Sequence, residues 1–128
     1  MAGHFIQKLS QQYPTILVIG PRQSGKTTLV QSLFSSQLPY LNLESLQTRD
    51  FATHDPVGFL NQYPDGAILD EVQRVPQLLS EIQVRIDKNQ RPGQYILTGS
   101  HQAELQAATS QSLAGRVGIV RLLPLSLE

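Results

Sequence analysis

Five short apolar runs alternate with amphipathic stretches along the chain, and that alternation predicts strands and helices in turn. Ile16-Leu17-Val18-Ile19 is a continuous, largely β-branched run stopped by Gly20 and Pro21. A run without polar interruption reads as a strand covered on both faces. Helical periodicity follows from Gly25 to about Ser35, with Leu29, Val30, Leu33 and Phe34 on the apolar side. Ahead of this strand, Phe5, Ile6 and Leu9 share one face of a short helix that Pro14 ends.

The pattern then repeats. Tyr40-Leu41-Asn42-Leu43 is a second strand, followed by a polar, irregular stretch in which Asp55-Pro56 opens a short helix carrying Phe59 and Leu60. Ala67-Ile68-Leu69 is a third strand, ending in Asp70-Glu71. Pro76 suits the first turn of a helix whose Leu78, Leu79, Ile82 and Ile86 share a face, with Glu81 and Arg85 four apart on the other. Arg91-Pro92-Gly93 closes that helix, and Tyr95-Ile96-Leu97 makes a fourth strand ending in Thr98-Gly99-Ser100. A weaker helix runs from Gln102 to Ala114, and Val117 to Leu123 gives the fifth strand, ended by Pro124. Strands alternating with helices call for an α/β fold, a parallel sheet wound on both faces, with ligands at the carboxyl edge of the strands. The polar strand ends obey that rule: Gly20, then Asn42 and Glu44, then Asp70 and Glu71, then Thr98 and Ser100.

Composition narrows the class. At 128 residues, 40% hydrophobic and 16% charged, with a mean hydropathy of −0.17, the chain is sized and balanced for one globular domain, residues 1–128. Ten Lys and Arg balance ten Asp and Glu. A net charge of zero gives no electrostatic footprint for nucleic acid or anionic lipid. With no cysteine there is no disulfide, thiolate or Cys-ligated zinc chemistry, and the expected setting is the cytoplasm. No stretch reaches the roughly 20 apolar residues that span a bilayer, and the first residues lack the pattern of a signal peptide. His4, His54 and His101 lack metal-ligand spacing.

The turn after the first strand carries the chemistry. Gly20-Pro21-Arg22-Gln23-Ser24-Gly25-Lys26-Thr27 fits G-x-x-x-x-G-K-[ST] between a strand and a helix, the context that a phosphate-binding loop (Walker A) requires. Its glycines let backbone N–H groups curl around a β-phosphate, and the helix N-terminus adds positive potential. Lys26 reaches the β and γ oxygens, and the Thr27 hydroxyl ligates Mg²⁺. Thr28 completes the loop. Asp70, 43 residues after Thr27, ends an apolar strand as a second Mg²⁺-associated group, and Glu71 beside it is placed to polarise water. Thr98 and Ser100 end the fourth strand, where either could report on the γ-phosphate or simply cap the next helix. Arg116 precedes the fifth strand, at the amino edge, and a strand spans roughly 17 to 20 Å. Any transition-state role for Arg116 must therefore be on a neighbouring subunit's nucleotide. The plainer alternative is a surface arginine paired with a helix C-terminus.

Taken together, the segments resemble the prokaryotic AAA-like P-loop ATPases whose larger members join an N-terminal ATPase domain to a C-terminal domain of unknown function. The carriers are GPRQSGKTT at Gly20 to Thr28, YLNLE at Tyr40 to Glu44, Asp55-Pro56, ILDEVQRVPQLL at Ile68 to Leu79, YILTGS at Tyr95 to Ser100, LAGR at Leu113 to Arg116, and LLPLSLE at Leu122 to Glu128. The resemblance implies a three-layer P-loop NTPase sandwich whose five-stranded sheet has the additional-strand order 5-1-4-3-2. It favours Thr98 or Ser100 as sensor, Arg116 as arginine finger and a homo-oligomer in which that finger acts in trans. In similar proteins more of the ATPase domain and a C-terminal domain follow the PLSLE segment. The chain is accordingly expected to be a domain shortened at its C-terminus.

The expected function is ATP binding with Mg²⁺ and hydrolysis of ATP to ADP and phosphate. A nucleotide-binding or interaction module without turnover is the alternative. A small-molecule kinase fits less well, because no arginine-rich lid is evident and Asp70-Glu71 suits attack by water better than transfer to an alcohol.

Overall fold

The computed structural model describes residues 2–21, 25–100 and 103–122. Its centre is β1 (Thr15–Ile19), in which all five residues are buried. Ile16 and Val18 face one side of the sheet and Leu17 and Ile19 the other, so the period-two geometry of a strand supplies two separate cores. At roughly 1.5 to 3 kcal/mol for each large side chain fully buried, these four residues are a main anchor of the sandwich.

β1 pairs in parallel with β4 (Tyr95–Gly99) on one side and with β5 (Val117–Arg121) on the other. β4 continues to β3 (Ala67–Asp70), and β3 to the edge strand β2 (Tyr40–Asn42). The sheet order is therefore β2-β3-β4-β1-β5, which read from the opposite edge is the 5-1-4-3-2 order that the resemblance implied. The register sets Ile19 beside Gly99, Val18 beside Thr98 and Asn42 beside Asp70. The ends of β1, β3 and β4 thus meet at one edge.

Helices α1 (Ala2–Ser10) and α2 (Lys26–Phe34) cover one face, where Ile6, Val30 and Phe34 pack on Ile16, Val18, Ile68 and Ile96. The other face carries α4 (Pro56–Asn61), α5 (Leu78–Lys88) and α6 (Ala103–Ser112), which contribute Phe59, Leu60, Leu78, Leu79, Ile82, Ile86 and Leu105 to the second core. On α5 the four periodic residues are buried as expected, and Glu81 and Arg85 form their i,i+4 pair at 3.1 Å. Pro76 lies two residues ahead of the first helical position instead of within the first turn. Asp55 opens α4 as predicted, accepting a hydrogen bond from the Gly58 N–H at 2.9 Å.

The stretch expected to be irregular contains a helix, α3 (Leu46–His54). Its apolar pattern is nearly invisible because Ala52 is its one residue in the core, while Leu46 and Phe51 are exposed. Phe51 packs edge-on against Phe59 at 5.6 Å, so α3 is held by its neighbour α4 more than by a face of its own. A 3₁₀ turn, Val72–Arg74, was likewise not anticipated. Leu43 falls just beyond β2, although its N–H still bonds the Asp70 carbonyl at 3.0 Å.

Gly66, at the entry to β3, shows how tightly the opposite edge is built. Its φ is +106°, and a Cβ there would lie 1.8 Å from the Gln94 carbonyl oxygen. Gly66→Ala combines a backbone conformation that L residues avoid with a backbone clash, so it should cost about 2 to 4 kcal/mol of stability. Urea unfolding of the variant measures this directly; an unchanged midpoint would contradict the close approach.

Candidate functional site

The site forms where β1, β3 and β4 end. The Gly20 N–H bonds the Gly99 carbonyl at 3.2 Å, fixing the start of the loop to β4. Gly25, at φ +80°, turns the chain in the left-handed region directly ahead of α2. The first turn of that nine-residue helix begins at the same place, and a helix N-terminus favours an anion. Arg22, Gln23 and Ser24, the remaining predicted loop residues, lie outside the described residues.

Lys26 is 1% exposed, unusual for an ammonium that is not paired. Its Nζ sits 3.2 Å from Glu71 Oε2 and 3.5 Å from the Pro21 carbonyl oxygen. Glu71 is itself buried and carries a φ of +62°, the only non-glycine residue with positive φ among the described residues. The strained backbone turns its side chain across the site toward Lys26. Gln73 holds it from the other side: Gln73 Nε2 donates to Glu71 Oε1 at 2.7 Å. Ser100 Oγ donates to the same oxygen at 3.4 Å, and the Ser100 N–H reaches Gln73 Oε1 at 3.4 Å.

Asp70 lies beside this pair. Thr27 Oγ1 is 3.1 Å from both of its carboxylate oxygens. Thr98 Oγ1 donates to Oδ1 and the Tyr40 hydroxyl donates to Oδ2. Thr98 also accepts the Glu71 N–H at 2.9 Å, so one hydroxyl ties the side chain of Asp70 to the backbone of Glu71. Burial first, and the hydrogen bond to Asp70 second, push the Tyr40 phenol well above its ordinary pKa, which keeps it a donor.

Asp70 is thus a buried carboxylate whose hydrogen-bond partners among the described residues are three neutral hydroxyls. No cationic side chain is paired with it among the described residues. No cluster of three or more His, Asp or Glu side chains able to hold a metal is found among the described residues. Mg²⁺, which takes one or two protein oxygens and completes its shell with water and phosphate, fits the Thr27–Asp70 pair without such a cluster.

A family profile described as AAA domain matches residues 12–128. The chain belongs to the AAA domain family. An uncharacterized protein of Mycobacterium tuberculosis and one of Mycobacterium bovis are each 33% identical to it over 125 residues, 96% of this chain and 28% of theirs. The chain therefore spans less than a third of the length of these relatives. Domain III of the Thermotoga maritima replication initiation protein DnaA superposes with a TM-score of 0.63 at 18% identity, covering 98% of this chain and 62% of that one. The P-loop NTPase domain of a sigma-54 transport activator from E. coli gives 0.59 at 16% identity, covering 96% and 92%. At these identities the likeness is one of fold, that of the P-loop NTPases.

Within this AAA domain, Gly20, Pro21, Gly25, Lys26, Thr27, Asp70, Glu71, Thr98 and Ser100 come together at the carboxyl edge. Thr28 is exposed on the first turn of α2. Arg116 is elsewhere: its carbonyl accepts the Thr15 N–H at 3.1 Å at the amino edge, a strand's length from Lys26. Its guanidinium makes a forked pair with Asp87 of the last turn of α5, at 2.7 and 3.2 Å, and donates to the Ala114 carbonyl at 3.0 Å. Two residues of the site were not singled out from sequence. Tyr40 and Gln73 lie in segments that carry the resemblance, YLNLE and ILDEVQRVPQLL, but neither reads there as a site residue. Tyr40's one signal was that it opens the strand adjacent to the Asp70 strand in the implied order.

The Lys26–Glu71 pair is buried on both sides, with side-chain exposures of 1% and 6%. Glu71→Gln should keep the contact to Gln73 while leaving a buried ammonium without its counter-charge, costing the nucleotide-free fold about 2 to 4 kcal/mol. Adding Lys26→Met should recover most of that loss. Urea unfolding of the two single variants and the double variant gives the coupling; additive effects would show the pair to be effectively solvated.

Proposed function

We propose that this AAA domain binds ATP with Mg²⁺ and hydrolyses it to ADP and phosphate. The observation that carries the reading is the buried Lys26–Glu71 ion pair standing next to the Thr27–Asp70 pair at the N-terminus of α2. In this reading Lys26 exchanges Glu71 for the β and γ oxygens of the nucleotide, and the loop N–H groups receive the β-phosphate. Thr27 and Asp70 would hold Mg²⁺, which when bound would supply charge neutralisation at the phosphates. Glu71, released from Lys26 and still oriented by Gln73, accepts a proton from the attacking water while the water oxygen bonds to the γ-phosphorus and ADP departs.

The contacts favour a division of labour between the two candidate sensors. Thr98 is fully buried and its hydroxyl proton is committed to Asp70, which suits a positioning role. Ser100 is less enclosed and sits against Glu71 and Gln73, which suits contact with the γ-phosphate or water. Arg116, in this reading, serves the nucleotide of a neighbouring copy in a homo-oligomer. The forked pair with Asp87, in the last turn of α5, is the arrangement that the plainer reading of a surface arginine at a helix C-terminus expects. The absence of cysteine is compatible with the proposed cytoplasmic setting, and among the described residues no helix is long and apolar enough to cross a membrane.

A nucleotide-binding module without turnover is favoured by one observation, the engagement of Glu71 by both Lys26 and Gln73. Phosphate release and nucleotide affinity separate the two readings. Lys26→Ala should weaken ATP binding by about 100-fold, the worth of a strong charge-assisted contact. Glu71→Gln should keep binding and lower turnover by about 10²- to 10⁴-fold. Tight binding with no phosphate release by the wild type at any protein concentration would support the module instead. Specific activity that rises with protein concentration, and does not rise for Arg116→Ala, is the expected sign of a finger acting in trans.

A further inference from the structure

Asp70 sits at the end of β3, and the two strands flanking β3 each send one hydroxyl to its carboxylate. Thr98, from β4, donates to Oδ1, and Tyr40, from β2, donates to Oδ2. Tyr40 lies two positions before Asp70 in register, opposite Ile68. At a strand rise of about 3.3 Å per residue the two residues are offset by about 6.6 Å along the strand, a distance that their side chains span between them. Its ring packs against the core on the α1 and α2 side of the sheet. The residue is therefore an apolar strut with one polar tip, having few rotatable bonds and both ends engaged.

A carboxylate offers about four lone-pair sites, two on each oxygen. Tyr40 and Thr98 take one from each. The remaining pair converges on Thr27, whose hydroxyl is 3.1 Å from both oxygens. Without the phenol Oδ2 would keep only the Thr27 hydroxyl, which it shares with Oδ1, and the carboxylate would be less firmly fixed about its last bond. A half-buried tyrosine at an edge strand could satisfy its hydroxyl with water alone, so its commitment to Asp70 is a specific arrangement.

We propose that Tyr40 is a positioning residue for the divalent cation: its hydroxyl fixes the plane of the Asp70 carboxylate so that the lone pairs beside Thr27 are presented to the ion and its water shell. This inference rests on the reading of Thr27 and Asp70 as the Mg²⁺ site. It concerns affinity for the cation, not the chemical step, and the ring is kept by Tyr40→Phe.

The test is equilibrium binding of ATPγS to the wild type, Tyr40→Phe and Asp70→Asn, first in EDTA and then across a Mg²⁺ titration. Tyr40→Phe should bind ATPγS in EDTA within about twofold of the wild type and need about tenfold more Mg²⁺ to reach half of the Mg²⁺-dependent gain in affinity, the usual scale for losing a partner of a metal ligand. Asp70→Asn should need more still. A wild-type Mg²⁺ midpoint in Tyr40→Phe, with a shifted one in Asp70→Asn, overturns the role of Tyr40 and leaves the Mg²⁺ site standing. Unshifted midpoints in both overturn the underlying site. Equal losses in EDTA and in Mg²⁺ would mark the hydroxyl as a support for the fold and also overturn the proposal.

Discussion

A carboxylate buried at the meeting point of three strands has to be solvated by the protein, and that requirement organises the centre of this molecule. Asp70 is 4% exposed and draws hydroxyls from α2, β2 and β4. Each donor belongs to a different element, so the carboxylate acts as a common reference for their relative positions. The parallel topology makes this feasible, because it brings the ends of β1, β3 and β4 to one edge while their apolar bodies fill both cores.

Next to this neutral cage stands a charged one. Lys26 and Glu71 are taken out of water together, and each satisfies a need of the other. Within the described residues the site carries two carboxylates against one ammonium, so it is short of positive charge beside Asp70 and rich in donors at the α2 N-terminus. A metal and a polyphosphate are complementary to those two deficits together better than either is alone. The distribution of charge thus supports a metal–nucleotide pair in a protein whose net charge is zero.

The sequence was most legible where one physical signal acted alone. Unbroken apolar runs marked β1, β3 and β4, and the residues at their ends were the polar ones that meet at the sheet edge. Glycine and lysine spacing marked the loop because few other uses demand those residue types in that order. Helix α3 escaped notice because it buries little more than Ala52, so the periodic signal that reveals a helix was missing. Tyr40 and Gln73 escaped for another reason: each looks ordinary in its own segment, one as a strand residue and one as a surface amide. The significance of Tyr40 lies in a contact 30 residues away, with Asp70, and that of Gln73 in its hold on Glu71 together with a contact 27 residues away, with Ser100. Contacts of that kind depend on strand order and register, which local pattern does not encode.

The left-handed backbone at Glu71 has a consequence for how the site can change over generations. A longer side chain held at positive φ costs about 1 to 2 kcal/mol relative to one that accepts the conformation freely. Glycine and asparagine accept it, but neither carries a carboxylate that reaches Lys26. Backbone strain and side-chain reach therefore pull in opposite directions at this single position. A lineage released from any demand on that carboxylate would gain from relieving the strain only if the buried charge of Lys26 were lost with it, whereas a lineage that retains glutamate there continues to bear the strain.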